Sequence, residues 1–213
     1  MEISGAPSRE EMLAALERRQ GSAAVQKLQA ATVAVCGLGG LGSNIAISLA
    51  RAGVGKLVLV DFDRVDVTNL HRQQYKADQV GLPKPEALLS NLKEIAPYTE
   101  FETHFEKVTA VNAVSLLAGA DVVCEAFDNA EAKAMLVNTV LESMPRAFLV
   151  AASGMAGFDC GNSITTRRVT KRFYVCGDGV SDVADGVGLV APRVMLCAAH
   201  QALTAIRLIL GLE

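Results

Sequence analysis

Two kinds of hydrophobic pattern alternate along the chain. Ser8 and Glu11 stand at capping-box spacing, and Met12, Leu13 and Leu16 follow on one helical face, which predicts a helix to about Arg19. A second helical stretch follows over Ser22–Ala30. Short apolar runs then exchange with longer segments of helical period. TVAVC (32–36), KLVLVD (56–61), DVVCEAF (121–127) and RAFLVAAS (146–153) read as buried strands, and the alternating TEFETHF (99–105) as a more exposed one. Residues 43–52, 84–96, 109–118 and 131–143 read as the intervening helices, the first ended by Gly53 and the second by Pro97. Strands exchanging with helices predict an α/β fold, a mainly parallel sheet with helices on both faces. The rhythm changes after Gly154. Residues 162–175 read as two short strands forming a small antiparallel extension, and the Gly- and Asp-rich CGDGVSDVADGVG (176–188) as a mobile loop. Pro192 suits the first turn of a long closing helix to Leu210.

Composition agrees with a folded chain. The 213 residues are 51% hydrophobic and 20% charged, enough apolar surface for a sizeable core. The net charge of −3 supplies no field that would favour nucleic acid or a membrane. The most apolar segment, 189–212, is interrupted by Arg193, His200, Gln201 and Arg207, so a buried helix is expected there and no membrane span. The first twenty residues lack an apolar run, so no secretory signal is expected. Among five cysteines no C-x-x-C occurs, which predicts no structural zinc and suits a reducing, cytoplasmic setting. Cys36, Cys124 and Cys197 lie in apolar runs and read as core.

GLGGLG (37–42) sits between a strand and a helix, in the G-x-G-x-x-G spacing of a Rossmann-like nucleotide site. Gly37, Gly39, Gly40 and Gly42 would let backbone approach a phosphate, and the helix N-terminus would supply free N–H groups. Asp61 ends the next strand nineteen residues later, where an acid accepts hydrogen bonds from ribose. The same turn would also serve merely to seat strand on helix, and it does not separate NAD from ATP. The residues beyond Asp61 do. In DFDRVDVTNLHRQQY (61–75), Asn69 and Arg72 are three apart and share a face in a helical turn. Lys84 opens the next helix in GLPKPEALL. Cations in this connection suit a triphosphate whose charge is neutralised as a bond to phosphorus breaks, and a dehydrogenase would have no use for them. Asp128 and Asn129 fall at the carboxyl end of a strand, in EAFDNAEAK, where an exposed Asp is a magnesium ligand or a helix cap. With Asp63, these residues complete the candidate nucleotide set. His71 is expected to face away from the phosphates.

GLGGLGSN, DFDRVDVTNLHRQQY, GLPKPEAL and EAFDNAEAK, in that order and spacing, resemble the ThiF/MoeB/HesA family, bacterial relatives of ubiquitin-activating enzymes. The likeness runs from about Arg18 to the C-terminus and is nearest to the compact ThiF type, taken to adenylate the thiamine sulfur carrier ThiS. It implies a single adenylation domain over 1–213, with 1–30 as a helical arm and 176–188 as a crossover loop. It also implies ATP and Mg²⁺, a ubiquitin-like sulfur carrier ending in Gly-Gly, and a homodimer. Within that likeness Gly40 approaches phosphates, Asp61 holds the ribose, and Asn69, Arg72 and Lys84 contact phosphates or ribose. Asp128 holds magnesium, and Arg18 or Arg19, with Arg18 preferred, reaches the triphosphate of the other subunit. Other carriers, a peptide or a tRNA carboxylate stay open as substrates of the same chemistry. An NAD-dependent oxidoreductase and a catalytically idle partner subunit stay open as other classes. Many relatives carry two zinc-binding C-x-x-C pairs that are missing here, and the cysteine that some use before the last helix falls near Ala184. Cys176 would be a substitute in the same loop or a free loop thiol.

Overall fold

The computed structural model describes Gly5 and residues 7–212, so the first few residues of the expected arm, and Glu213, lie outside it. The chain opens with α1 (Arg9–Gln20), whose capping box forms as expected, and α2 (Ser22–Ala30). Then come β1 (Thr32–Cys36), α3 (Gly40–Ala52), β2 (Lys56–Asp61), α4 (Lys84–Ile95), β3 (Glu100–Phe105) and a short α5 (Ala113–Leu116). The second half runs β4 (Val122–Glu125), α6 (Ala130–Ser143), β5 (Phe148–Ala152), β6 (Thr165–Arg168), β7 (Phe173–Gly177) and α7 (Ala191–Leu210).

One seven-stranded sheet has the order β3-β2-β1-β4-β5-β7-β6, parallel throughout except for the β6–β7 pair. This is the predicted Rossmann-like sheet with its antiparallel extension. β1 pairs with β2 on one side and with β4 on the other, so the chain reverses direction across the sheet there. The carboxyl ends of these strands form the crevice where open α/β sheets bind ligands. Alternation along β1 sends Val33 and Val35 into one apolar cluster with α3, α4 and α7, and Ala34 and Cys36 into another with α5 and α6. By length and composition α7 is apolar enough to cross a membrane, with mean hydropathy 1.3. It is a core helix here: Val194, Cys197, Ala198, Ala202, Ala205 and Leu208 repeat at helical spacing and are buried against α3 and the sheet.

Three boundaries differ from the sequence reading. α3 begins at Gly40, three residues early, because the glycine turn closes in fewer residues. The helix expected over 109–118 shrinks to one turn, since Asn112 Oδ1 accepts from the Thr109 N–H and hydroxyl and competes with helical pairing. β7 runs on to Gly177, so Cys176 is a strand residue with no exposed surface, and burial pushes its thiol up. The expectation of a loop thiol at Cys176, free or acting in place of a catalytic cysteine, is therefore corrected. Four residues of β-pairing with β5 outweigh the loop-like composition that begins at this point.

Candidate active site

A cavity of about 890 Å³ opens at the carboxyl ends of β1, β2, β4 and β5. Its floor is the glycine turn. Gly37 has φ +88°, and a Cβ there would meet the Ala126 carbonyl at 2.8 Å. A Cβ on Gly42 would overlap the carbonyl oxygen of Gly37, so this glycine seats the helix on the turn and does not itself line the cavity. Gly39 and Gly40 do line it, at the N-terminus of α3 where N–H groups lack helical partners.

The acid after β2 is fixed from two sides. Asp61 accepts from Leu38 N–H at 2.5 Å through Oδ2 and from Asp63 N–H at 2.7 Å through Oδ1. Burial raises its carboxyl, against the opposing pull of Lys84 and those two N–H groups. Lys84, itself buried, places its ammonium 2.8 Å from Asp63 Oδ2, and its backbone N–H donates to the Asp63 carbonyl. Asp63 thus positions Lys84 at the cavity wall.

The segment carrying Asn69 and Arg72 is strapped to the start of α3. Ser43 Oγ accepts from Gln74 N–H, Asn44 Nδ2 donates to the carbonyls of Gly40 and Arg72, and Gln74 Nε2 donates to Asn44 Oδ1 at 2.7 Å. The buried Tyr75 hydroxyl donates to the Leu38 carbonyl at 2.7 Å. These bonds bring Arg72 Cγ within 3.4 Å of where a Gly40 Cβ would stand, so the Arg72 side chain passes over the glycine turn. Asn69 and Arg72 both line the cavity, and the Arg72 N–H donates to the Asn69 carbonyl within the predicted turn. His71 does not line it and bonds instead to the carbonyls of Thr68 and Leu189.

Opposite lies the end of β4. Asn129 caps α6, accepting from Ala132 N–H at 2.9 Å, and does not line the cavity. Capping by Asn129 releases Asp128, which is exposed on the cavity wall and has no hydrogen bond or ion pair among the described residues. No group of three His, Cys, Asp or Glu side chains able to hold a metal occurs among the described residues. A lone free carboxylate fits magnesium carried by phosphate oxygens, which needs one or two protein carboxylates.

Arg18 sits on α1, whose Met12, Leu13 and Leu16 lie against Gly53, Ala50 and Ala96, at the edge where strands begin. It does not line its own chain's cavity, and neither does Arg19.

Several features escaped the sequence reading. Glu125, fully buried at the end of β4, is gripped by Lys133 at 3.0 Å from both carboxylate oxygens and by Phe127 N–H at 2.7 Å. Burial raises its carboxyl, with Lys133 pulling the other way. Both residues line the cavity. A charged residue closing the apolar run VVCE, with a lysine eight positions on, was the available signal. The buried Oε1 of Gln73 has no hydrogen-bond partner among the described residues, and Gln73 also lines the cavity. Asp178 is held by Arg193 at 2.5 Å. Burial would raise the Asp178 carboxyl, but bonds from the Val180 and Ser181 N–H groups, the Ser181 hydroxyl and Arg193 bring it down to about 2. Because this folded value lies below the ordinary 3.8, its contribution to stability is present above pH 3.8 and lost as pH falls through about 2. The melting-temperature gap between the natural protein and Asp178→Asn is expected to narrow over that window in a thermal-melt series; a constant gap would contradict the assignment.

A glycine turn at a helix N-terminus, an acid closing the second strand, and Arg72, Lys84 and Asp128 on the wall of one cavity define a Rossmann-like α/β protein with charge of both signs gathered at its crevice. The chain belongs to the ThiF family, which matches residues 11–213. It is 34% identical over 200 residues to "Adenylyltransferase and sulfurtransferase MOCS3" of Anopheles gambiae, covering 88% of this chain and 43% of that protein. It is 36% identical over 138 residues to "Ubiquitin-like modifier-activating enzyme 5" of Drosophila pseudoobscura pseudoobscura, covering 59% and 34%. The chain therefore spans less than half the length of the curated relatives it matches. In fold it is similar to E. coli TcdA, a tRNA N6-threonylcarbamoyladenosine dehydratase solved with ATP, at TM-score 0.87 and 23% identity over 97% of both chains. E. coli MccB, also solved with ATP, is similar at TM-score 0.71 and 20% identity, covering 91% of this chain and 59% of that one.

Proposed function

We propose that the chain is an ATP-dependent adenylyltransferase that activates the C-terminal glycine carboxylate of a small ubiquitin-like sulfur carrier of the ThiS type, in thiamine thiazole synthesis. One observation carries the reading: Asn69, Arg72, Lys84 and Asp128 converge on one cavity with the glycine turn and Asp61. Hydride transfer to a nicotinamide would leave that ring of charge without a purpose. The names of MOCS3 and of UBA4 from Lodderomyces elongisporus, each an adenylyltransferase and sulfurtransferase, support the adenylation step.

The carrier carboxylate is ionised at neutral pH, so no base is needed to make it a nucleophile. One carboxylate oxygen forms a bond to the α-phosphorus as the bond from that phosphorus to the bridging α–β oxygen breaks. The electron pair leaves with pyrophosphate, and the product is an acyl-adenylate. The chain's part is positioning and charge. Asp61 accepts from the ribose hydroxyls. The N–H groups at Gly39 and Gly40 face the phosphates. Arg72, Lys84 and Asn69 bear on the phosphate oxygens where negative charge grows. Asp128 would hold Mg²⁺, which supplies neutralisation of the triphosphate. In a homodimer, Arg18 would come from the second subunit, since it lies away from the cavity of its own chain. The setting proposed is the cytoplasm.

Pyrophosphate–ATP exchange tests this with a panel of acceptors: a ThiS-type carrier, a molybdopterin-type carrier, a Gly-Gly peptide and tRNA. Exchange is expected with the ThiS-type carrier above the others. Exchange driven by another acceptor alone would move the substrate, and NAD binding without ATP binding would reverse the choice of chemistry.

A further inference from the structure

Arg193 is a charged residue in the core of this protein, and it lies outside the nucleotide half of the cavity. Its side chain is only 4% exposed, and its carboxylate partner Asp178 is 9% exposed. An arginine carries five N–H donors in a planar fork. Here each one is used. Nε donates to the Ala156 carbonyl, Nη1 to the carbonyls of Asp159 and Cys160, and Nη2 to Ser163 Oγ and Asp178 Oδ2. Asp178 is equally saturated: Oδ1 accepts from Val180 and Ser181 N–H, and Oδ2 from the Ser181 hydroxyl and Arg193. Ser181 Oγ closes the circuit by accepting from Ala156 N–H at 3.0 Å. The approach is close enough that a Cβ on Gly154 would overlap the Asp178 carboxylate.

This clip joins three segments: the first turn of α7, the connection 154–163 after β5, and the connection 178–182 after β7. The last two lie side by side, joined by the Asp178 N–H to the Gly154 carbonyl and the Gly179 N–H to the Ser153 carbonyl, and together they form one stretch of the cavity wall, through Gly154, Met155, Ala156, Gly179, Val180 and Ser181. Arg193 and Asp178 themselves do not line it. The nucleotide candidates stand on other segments, Asp61 as the last residue of β2 and Asn69, Arg72 and Lys84 beyond it. Burying an ion pair with every donor and acceptor used is costly to assemble and gives one geometry rather than many.

We propose that Arg193 is a positioning residue for the acceptor: through Asp178 and Ser181 it fixes the stretch of cavity wall against which the incoming carboxylate substrate is held. The inference rests on the adenylation reading for the identity of that substrate, while the clip itself stands on geometry alone. Lysine in place of arginine keeps the charge but offers three donors that cannot span the fork, so it is not a conservative change here.

The test uses full-length Arg193→Lys and Ser181→Ala, the second cutting the circuit while leaving the buried ion pair whole. Backbone hydrogen exchange is expected to speed up at Ala156, Val180 and Ser181 and to stay unchanged in β1 and β2. In acceptor-dependent pyrophosphate exchange, kcat/KM for the carrier should fall about a hundredfold in Arg193→Lys, mostly through KM, as for a displaced positioning group. The dissociation constant for ATP should move much less than KM for the carrier, since among the described residues Asp61, Asn69, Arg72 and Lys84 share no hydrogen bond with the clip. Unchanged amide exchange in both variants would overturn the clip. Faster amide exchange with an unaltered KM for the carrier, or with ATP and carrier affinities falling together, would overturn the acceptor role. Unmodified protein lacking exchange with every acceptor would bring down the adenylation reading, and the acceptor role with it.

Discussion

Arg72→Ala is expected to lower carrier-dependent pyrophosphate–ATP exchange about a thousandfold, in the range found when a cation or donor facing transition-state charge is removed. The geometry argues for an effect on the chemical step more than on binding. Arg72 is strapped by Asn44 and Ser43 to the turn that carries Gly40, so its position is set before any ligand arrives. The guanidinium makes only long contacts within the protein, 3.4 Å to the Thr68 carbonyl and 3.4 Å to His71 Nε2, so its donors stay available. Loss should therefore show in kcat with a smaller change in KM for ATP. Asp128→Ala should produce a loss that deepens as magnesium becomes limiting, since Asn129 and not Asp128 caps the helix and the fold loses nothing. Full activity of Asp128→Ala at limiting magnesium would remove its proposed role, and an Arg72→Ala enzyme with unchanged kcat would remove the charge-stabilisation account.

The sheet was legible in the sequence because buried parallel strands are written as unbroken apolar runs, and TVAVC, KLVLVD and the core of DVVCEAF are such runs, too short for helices and rich in Val. What composition hid was the edge of the sheet. FYVCG is a strand that ends in the first letters of a Gly- and Asp-rich loop, and its pairing with β5, far off in sequence, decides where it stops. Local composition carries no record of that partner. The weak helix over 109–118 failed for the opposite reason, a local Thr109–Asn112 bond overriding an acceptable helical pattern.

The site divides in the same way. Asp61, Asn69, Arg72, Lys84 and Asp128 were readable because each follows a strand or opens a helix, where position alone implies the crevice. The segments that hold them became visible only in three dimensions. Nothing in SN after the glycine turn announces that Ser43 and Asn44 fasten Gln74 and Arg72, about thirty residues away. Arg193 read as an interruption in an apolar helix, because a saturated guanidinium is built from carbonyls whose sequence gives no sign of their direction. Glu125 was passed over inside a strand for a related reason: a buried acid becomes informative only with its partner, and Lys133 lies on the next helix.

That pair makes the second large prediction. Lys133→Met should destabilise the protein by about 3 kcal/mol, the lower end of the cost of stranding one member of a buried ion pair. The lower end applies because Lys133 is 27% exposed while Glu125 is 1% exposed, so water reaches the ammonium side and tempers the loss. Removing the lysine deletes the strongest influence that opposes burial, leaving backbone bonds from Phe127 and Ala152 to favour the carboxylate. The Glu125 carboxyl, already above its ordinary 4.5, then rises further in the folded state. A raised folded value means that stability is fully present below the unfolded value and is lost as pH climbs through the folded one. Lys133→Met should accordingly be nearest to the natural protein at pH values about and below 4.5 and should weaken progressively above it. Glu125→Gln placed on top of Lys133→Met should remove that pH dependence and recover much of the stability, since an amide oxygen still accepts from Phe127 and no charge is left buried. Urea midpoints across this pH range, read for both single variants and the double variant, form a thermodynamic cycle for the pair. A loss in Lys133→Met that stays constant with pH would show that Glu125 is not ionised against Lys133 in the folded protein.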